Sequence, residues 1–270
     1  MTATADPHAC IDVQELTKIY GHGRAAEVPA VSNVSFGVNR GEFVALIGPS
    51  GCGKSTILNM MAGLLPVSSG SIRINGTQVE TGQTMADVGY VFQRDTVYPW
   101  RTVRRNIGYG LELAKVAEAE RAFEVSRIIK RAGLNGFEDA FPLTLSGGMR
   151  QRVSLMRTLI MRPRILLMDE PFGALDTHTK LDMHQLLLEI WEEEHQTVIF
   201  VTHDLGEALT LSDKIIVLSA RPGRIKEIFD VGFSRPRDAV ALRETSQYSQ
   251  LFSEVWRSLG EEFRKSHAEG

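Results

Sequence analysis

Short apolar runs alternate with longer stretches of helical periodicity along most of this chain. Val34–Phe36, Phe43–Ile47, Ser71–Ile74, Val88–Phe92, Ile165–Met168, Thr197–Thr202 and Lys214–Leu218 read as strands. Lys54–Gly63, Ala117–Arg131, Gly148–Met161, Thr179–Glu194 and Asp204–Leu211 read as helices. This alternation predicts an α/β protein with a largely parallel central sheet. Ile165–Met168 and Val198–Val201 are apolar at every position, as strands covered on two faces should be. From Arg94 to Ser146 there is no convincing strand, and that stretch reads as a helical insertion between two sheet-forming parts. Near the C-terminus, Tyr248, Leu251, Phe252, Val255, Trp256 and Leu259 recur at helical spacing. Such a face either packs on its own domain or takes a partner. Arg235 to Glu244, with its charges and proline, reads as a connecting loop.

The chain has 270 residues and is 43% hydrophobic, enough for one large domain or two small ones. Its net charge of −3 argues against a general electrostatic nucleic-acid binder. The longest apolar runs are far too short to cross a bilayer, and Met1 to Cys10 lacks the apolar stretch of a secretory signal. The two cysteines are Cys10 and Cys52. A disulfide at Cys52 would obstruct the glycine-rich loop around it, so a reduced, cytosolic compartment fits best.

That loop carries the first chemical signal. Gly48-Pro49-Ser50-Gly51-Cys52-Gly53-Lys54-Ser55 fits the phosphate-loop pattern G-x-x-x-x-G-K-[ST] at every fixed position. It sits between a strand-like and a helix-like run, the context the motif needs. The glycines let the backbone turn its N–H groups toward phosphate oxygens, and the helix start adds partial positive charge. Lys54 would reach the β- and γ-phosphates, and the Ser55 hydroxyl would ligate Mg²⁺. A cysteine lining such a site would react with a thiol reagent, and bound nucleotide would protect it.

Ile165-Leu166-Leu167-Met168-Asp169-Glu170 is an apolar strand ending in two acids. Carboxyl ends of parallel strands face the ligand crevice. Asp169 would therefore lie near the metal, and Glu170 would polarise an attacking water. Alone, this pattern also fits a structural strand end. Leu145-Ser146-Gly147-Gly148-Met149-Arg150-Gln151-Arg152 is a glycine-rich turn opening a helix, with Ser146 suited to capping it. It is either a simple cap or a second anion site.

The stretch L-S-G-G-M-R-Q-R resembles the signature motif of ATP-binding-cassette ATPases. From about Ile11 to Asp230 the chain looks like the nucleotide-binding subunit of an ABC transporter, with the motifs in the family's order. The resemblance implies a P-loop NTPase core with a mostly parallel sheet and an N-terminal antiparallel β part. It also implies an inserted helical subdomain at roughly 93–160 and a helical tail, 231–270, packing on the domain. ATP and Mg²⁺ are the implied ligands. Tyr20 matches the aromatic that stacks on adenine; Gly48, Pro49, Ser50, Gly51, Cys52, Gly53, Lys54, Ser55 and Thr56 match the phosphate site. Gln93 matches the glutamine that reaches the metal and water. Ser55, Gln93 and Asp169 are the implied metal set; Glu170, His203, Gln93 and Lys54 are the implied catalytic set. Ser146, Gly147 and Gly148 match the signature core. Asp176 lies in the loop Ala174-Leu175-Asp176 that crosses the dimer interface. Without the resemblance, Tyr20 and His203 would read as packing or structural residues.

In the family each site takes its phosphate loop from one subunit and its signature residues from the other, so an ATP-sandwich dimer is implied. Membrane permease subunits are implied too, with a periplasmic or lipid-anchored solute-binding protein acting through them, at the cytoplasmic face of the inner membrane. No nucleic-acid partner is implied. Tyr98-Pro99-Trp100 resembles the groove wall that receives a short helix of the permease. The sequence around Val91 to Ile107, Met168 to Asp176 and Ser219 to Ile225 is similar to importer subunits for nitrate, sulfonate and taurine. It departs from them at Tyr98, where leucine is common, and at Thr158-Leu159-Ile160, in place of a more alanine-rich helix. A soluble ABC ATPase without a transport role is the alternative. A P-loop kinase would not need Leu145 to Arg152, and an exporter half would need a pore.

Overall fold

The computed structural model describes residues 9–21, 27–83, 85 and 87–268. In chain order it forms β1 (Ala9–Tyr20), β2 (Val28–Asn39), β3 (Phe43–Ile47), α1 (Lys54–Met61), β4 (Ser69–Ile74), β5 (Thr77–Gln78) and β6 (Val88–Val91). Then come α2 (Val103–Ile107), α3 (Tyr109–Leu113), α4 (Glu118–Arg131), α5 (Gly147–Leu159), β7 (Ile165–Asp169), α6 (Thr177–Glu194) and β8 (Thr197–Val201). The chain closes with α7 (Leu205–Leu211), β9 (Lys214–Leu218), β10 (Ile225–Asp230) and α8 (Ser246–Ala268).

The strands make two sheets. One is antiparallel in the order β2-β1-β4-β5; the other runs β10-β9-β3-β8-β7-β6. In the second, β9, β3, β8, β7 and β6 are parallel, and only β10 runs against its neighbour. Every residue of β3, β7 and β8 is buried, which is why these strands are apolar throughout. Alternate side chains of β3 feed two cores. Val44 and Leu46 pack with α1 and the antiparallel sheet; Phe43, Ala45 and Ile47 pack with the helices on the other face.

The largest departure from the sequence reading is β1, which that reading leaves without a strand. Its buried positions are Cys10, Ile11 and Val13, then Leu16 and Lys18. The step from Val13 to Leu16 breaks the period of two, because Glu15 adopts φ 46° and the register with β2 shifts there. Gly70 lies against this bulge, where any Cβ would run into the Glu15 carbonyl. β2 extends well beyond the expected Val34–Phe36. β10 is a half-exposed edge strand without clear alternation and also falls outside the expected set.

The tail is held to the domain by both apolar and ionic contacts. Tyr248, Val255 and Leu259 of α8 are buried, while Trp256 remains 55% exposed. The stretch before α8, expected as a plain connection, is pinned by charge. Arg235 Nη2 and Arg237 Nη2 donate to Asp213 Oδ1 at 2.7 and 3.2 Å, and the other Asp213 oxygen accepts the Phe43 N–H at 3.0 Å. The Arg235 guanidinium also lies 3.8 Å over the Trp191 ring. Arg237 is buried, so removing its counter-charge leaves an uncompensated cation. Asp213→Ala is expected to cost about 2–3 kcal/mol, less than a wholly buried pair because Asp213 is partly exposed, and to lower the thermal midpoint by about 5–10 °C. An unchanged midpoint would show that solvent already screens Arg237.

Candidate functional site

The carboxyl ends of four adjacent parallel strands build this site. β3 ends in the glycine-rich loop, β8 in Thr202-His203, β7 in Asp169-Glu170 and β6 runs into Gln93. Strands that run the same way and share register deliver their following residues to one edge of the sheet.

The loop's shape depends on glycine at Gly51 and Gly53, with φ of 77° and 97°. Gly53 also has no room for a side chain, since a Cβ would lie 2.7 Å from Val31 and 2.9 Å from the Ala30 carbonyl. Lys54 is buried, and its ammonium donates to the Gly48 and Pro49 carbonyls at 2.8 and 3.0 Å. Those contacts close the loop on itself and hold a cation beneath it. Ser55 Oγ donates to Asp169 Oδ1 at 2.8 Å. Burial raises the Asp169 carboxyl above its ordinary value, and the charge of Glu170 adds to the rise; Ser55 and Lys54 oppose it.

Glu170 stands beside this pair with φ 44°, a strained conformation for a non-glycine residue. Its N–H bonds the Val201 carbonyl at 2.9 Å, which locks the turn to β8. One carboxylate oxygen, Oε2, takes both Gln93 Nε2 and His203 Nδ1 at 3.1 Å. Three strand ends therefore meet at one oxygen atom.

A cavity of about 360 Å³ opens over the loop, lined by Tyr20, Ser50, Gly51, Lys54, Thr56 and Glu170 among others. Tyr20, at the end of β1, has its hydroxyl 3.3 Å from Thr56 Oγ1. Its exposed ring is available for stacking.

Known proteins match this chain in sequence and fold. Residues 31–173 match the sequence profile of the ABC transporter family. The chain belongs to that family. It is an ATP-binding subunit of the ABC type and hydrolyses ATP. An uncharacterized ABC transporter ATP-binding protein of Methanocaldococcus jannaschii is 44% identical over 95% of this chain and 93% of its own. The taurine import ATP-binding protein TauB of Rhizobium johnstonii is 45% identical, over 84% of this chain and 88% of its own. The nitrate import ATP-binding protein NrtD of Synechocystis is 43% identical over 80% of each chain. Among solved structures, the dimeric, post-hydrolysis ATP-binding cassette MJ0796 bound to ADP and Pi superposes with a TM-score of 0.74 at 32% identity. That match covers 83% of this chain and all of the cassette.

In this ABC subunit, the residues expected to serve a second copy's site lie apart from the chain's own phosphate loop. Ser146 caps α5 by accepting the Met149 N–H at 3.2 Å, and Asp176 caps α6 by accepting the Thr179 N–H at 3.0 Å. Neither these two nor Gly147 and Gly148 line the cavity over the phosphate loop. The direction of the Cys52 thiol, which the sequence leaves open, is inward. The side chain is buried under the loop, 3.8 Å from the Lys54 ammonium, and burial pushes its pKa up. Only its backbone remains with the loop, so the thiol is shielded from reagents. Arg221 lines the cavity without having been singled out as a site residue. It follows β9 in Ser219-Ala220-Arg221-Pro222-Gly223, a stretch whose resemblance to importers was its one sequence signal.

The raised pKa of Asp169 sets a sign for stability. Its folded pKa lies above its unfolded one, so its contribution is present at low pH and lost as pH rises through the folded value. Asp169→Asn keeps an acceptor for Ser55 and removes the buried charge. Its nucleotide-free thermal midpoint is expected above that of the parent at pH 7, with the gap closing toward pH 4. A lower midpoint for the variant at pH 7 would contradict this.

Proposed function

We propose that this chain is the ATP-hydrolysing subunit of an importer for a small solute such as nitrate, a sulfonate or taurine. The convergence of Gln93 and His203 on one oxygen of Glu170, on the same sheet edge as the phosphate loop, carries the catalytic part. The similarity to taurine and nitrate import subunits over 80–84% of this chain supports the solute class.

On this reading Tyr20 stacks on adenine, and the N–H groups of Ser50 to Thr56 hold the phosphates. Lys54 exchanges its carbonyl partners for β- and γ-phosphate oxygens. Glu170 takes a proton from water as that water's oxygen bonds to the γ-phosphorus, the bond to the β-phosphate bridge breaks, and ADP leaves. Gln93 and His203 fix the Glu170 carboxylate, and the second imidazole nitrogen of His203 is left to face the γ-phosphate. Ser55, Asp169 and Gln93 are the residues that would hold Mg²⁺. A hydroxyl beside a carboxylate, with few protein ligands, is the donor set this hard cation takes beside phosphates. When bound, it neutralises charge on the phosphate oxygens.

Ser146, Gly147, Gly148 and Asp176 find their role in the site of a second copy. Two chains head to tail enclose two ATP, with α5 of each facing the γ-phosphate of the other. Hydrolysis removes the bridging group and opens the pair. Among the described residues no helix is long and apolar enough to cross a membrane, so the solute path belongs to separate permease subunits. The chain then works peripherally at the cytoplasmic face of the inner membrane, and a periplasmic or lipid-anchored binding protein supplies the solute. A groove of about 690 Å³ between α2, α3 and α4, lined by Trp100, Arg101, Arg104, Glu112 and Arg121, is the permease-docking surface. Trp100 is 71% exposed there, a large ring ready for burial.

Glu170→Gln is expected to slow hydrolysis by about 10²–10⁴-fold and to hold an ATP-bound dimer on gel filtration with Mg-ATP. The same variant, pulled from detergent-solubilised membranes, should bring a multi-span permease. Recovery of only soluble or ribosomal partners would favour a non-transport ABC ATPase. Trp100→Ala is expected to leave ATP hydrolysis by the isolated chain intact and to abolish its coupling to transport. Equal loss of both would assign Trp100 to folding.

A further inference from the structure

Behind the candidate site lies an ionic chain, centred on the buried Glu207, that the proposed mechanism does not use. His203 is flanked by two anchored residues. Thr202 is buried, donates its hydroxyl to Glu207 Oε2 at 2.6 Å and accepts the Asp204 N–H at 3.0 Å. Asp204 in turn caps α7 through the Gly206 and Glu207 N–H groups at 2.8 and 3.2 Å. Glu207 is buried, and its second oxygen meets the Lys180 ammonium at 3.0 Å. Lys180 also lies 3.6 Å from Asp204 Oδ2.

Lys180 belongs to the first turns of α6. Its N–H bonds the carbonyl of the helix cap Asp176 at 2.9 Å. The chain of contacts therefore runs from the loop at Asp176, through Lys180 and Glu207, to Thr202 and the backbone that carries His203. His184, one turn further along α6, does not supply a competing charge. Its ring is packed on Phe172, and burial lowers its pKa to about 3, so it stays neutral 3.9 Å from Glu207. Among the described residues, Lys180 is the cation that balances Glu207. A buried carboxylate with one cationic partner and one short hydroxyl bond has little freedom to move without losing both.

We propose that Lys180 and Glu207 are positioning residues for hydrolysis, forming a strut that ties the placement of His203 to the loop at Asp176. This rests on the reading of His203 and Asp176 given above. A second copy pressing on the Asp176 loop shifts the start of α6. The Lys180–Glu207 pair carries that shift to Thr202, and His203 follows. ATP binding by the phosphate loop does not depend on it, because neither residue lines that cavity. The strut thus separates binding from turnover.

Steady-state hydrolysis by the full chain tests this. Lys180→Met is expected to lower kcat by about 10–100-fold while KM for ATP stays within about threefold, the size of effect that a small misplacement of a reacting group produces. Lys180→Arg, which keeps the cation, should retain kcat within about threefold. A purely structural role is separated by Lys180→Met combined with Glu207→Gln. That pair has no stranded charge and recovers thermal stability, yet kcat should remain low. Recovery of kcat with stability would overturn the proposal. Action through His203 is read on a His203→Ala background, where Lys180→Met should cause little further loss. A full additional loss there would overturn the strut and leave the site reading intact. If His203→Ala by itself hydrolyses ATP at the parental rate, the role of His203 fails and the strut with it.

Discussion

Everything at this site depends on the in-register parallel pairing of β6, β7, β8 and β3. The pairing brings Met168 beside Val91 and Phe200, and Asp169 beside Val201. It is maintained by burial on both faces, with alternate side chains entering two separate cores. A slip of one residue in any of these strands would send its apolar side chains to the wrong face. It would also move Gln93, Glu170 or His203 by a residue, about 3.3 Å along the strand, beyond hydrogen-bond reach. The same constraint that fixes the core fixes the chemistry.

The site is locally unfavourable, which is what a binding site before it binds should be. Asp169 is a carboxylate held in a buried place, Lys54 is a buried ammonium satisfied by carbonyls of its own loop, and Glu170 sits at positive φ. Each arrangement is tolerated because the two sheets and α1 leave the backbone no alternative. Phosphate oxygens are better partners for Lys54 and the loop N–H groups than the loop's own carbonyls. The folded chain thus holds donors and a cation in place, so little reorganisation accompanies binding.

Capping explains how the starts of α5 and α6 are stable before any ligand or partner reaches them. Ser146 and Asp176 already satisfy N–H groups of α5 and α6 within this chain, so both helices are stable without a ligand. Gly147 remains exposed at the start of α5, where further N–H groups face outward. Behind them the partly exposed Lys180 reaches the buried Glu207, an ion pair that joins α6 to α7 beside His203.

The phosphate loop was legible in the sequence because its function is written in eight adjacent residues. The strands β3, β7 and β8 were legible because burial on both faces leaves only apolar side chains. β1 was not, since the bulge at Glu15 shifts the buried positions by one and hides the alternation. The direction of the Cys52 thiol was not legible either, because a cysteine within a glycine loop can point to the ligand or to the core. Glu207 and Arg237 look in the sequence like ordinary surface charges; only packing buries them. What the sequence determined by itself was the set of chemical groups and the local turns that hold them, through φ preferences and helix caps acting over a few residues. What tertiary structure decided was which groups meet. Ser55 and Asp169 are 114 residues apart, and Gln93 and Glu170 are 77 apart. Only sheet pairing, set by burial across the whole domain, brings such distant residues to within a hydrogen bond.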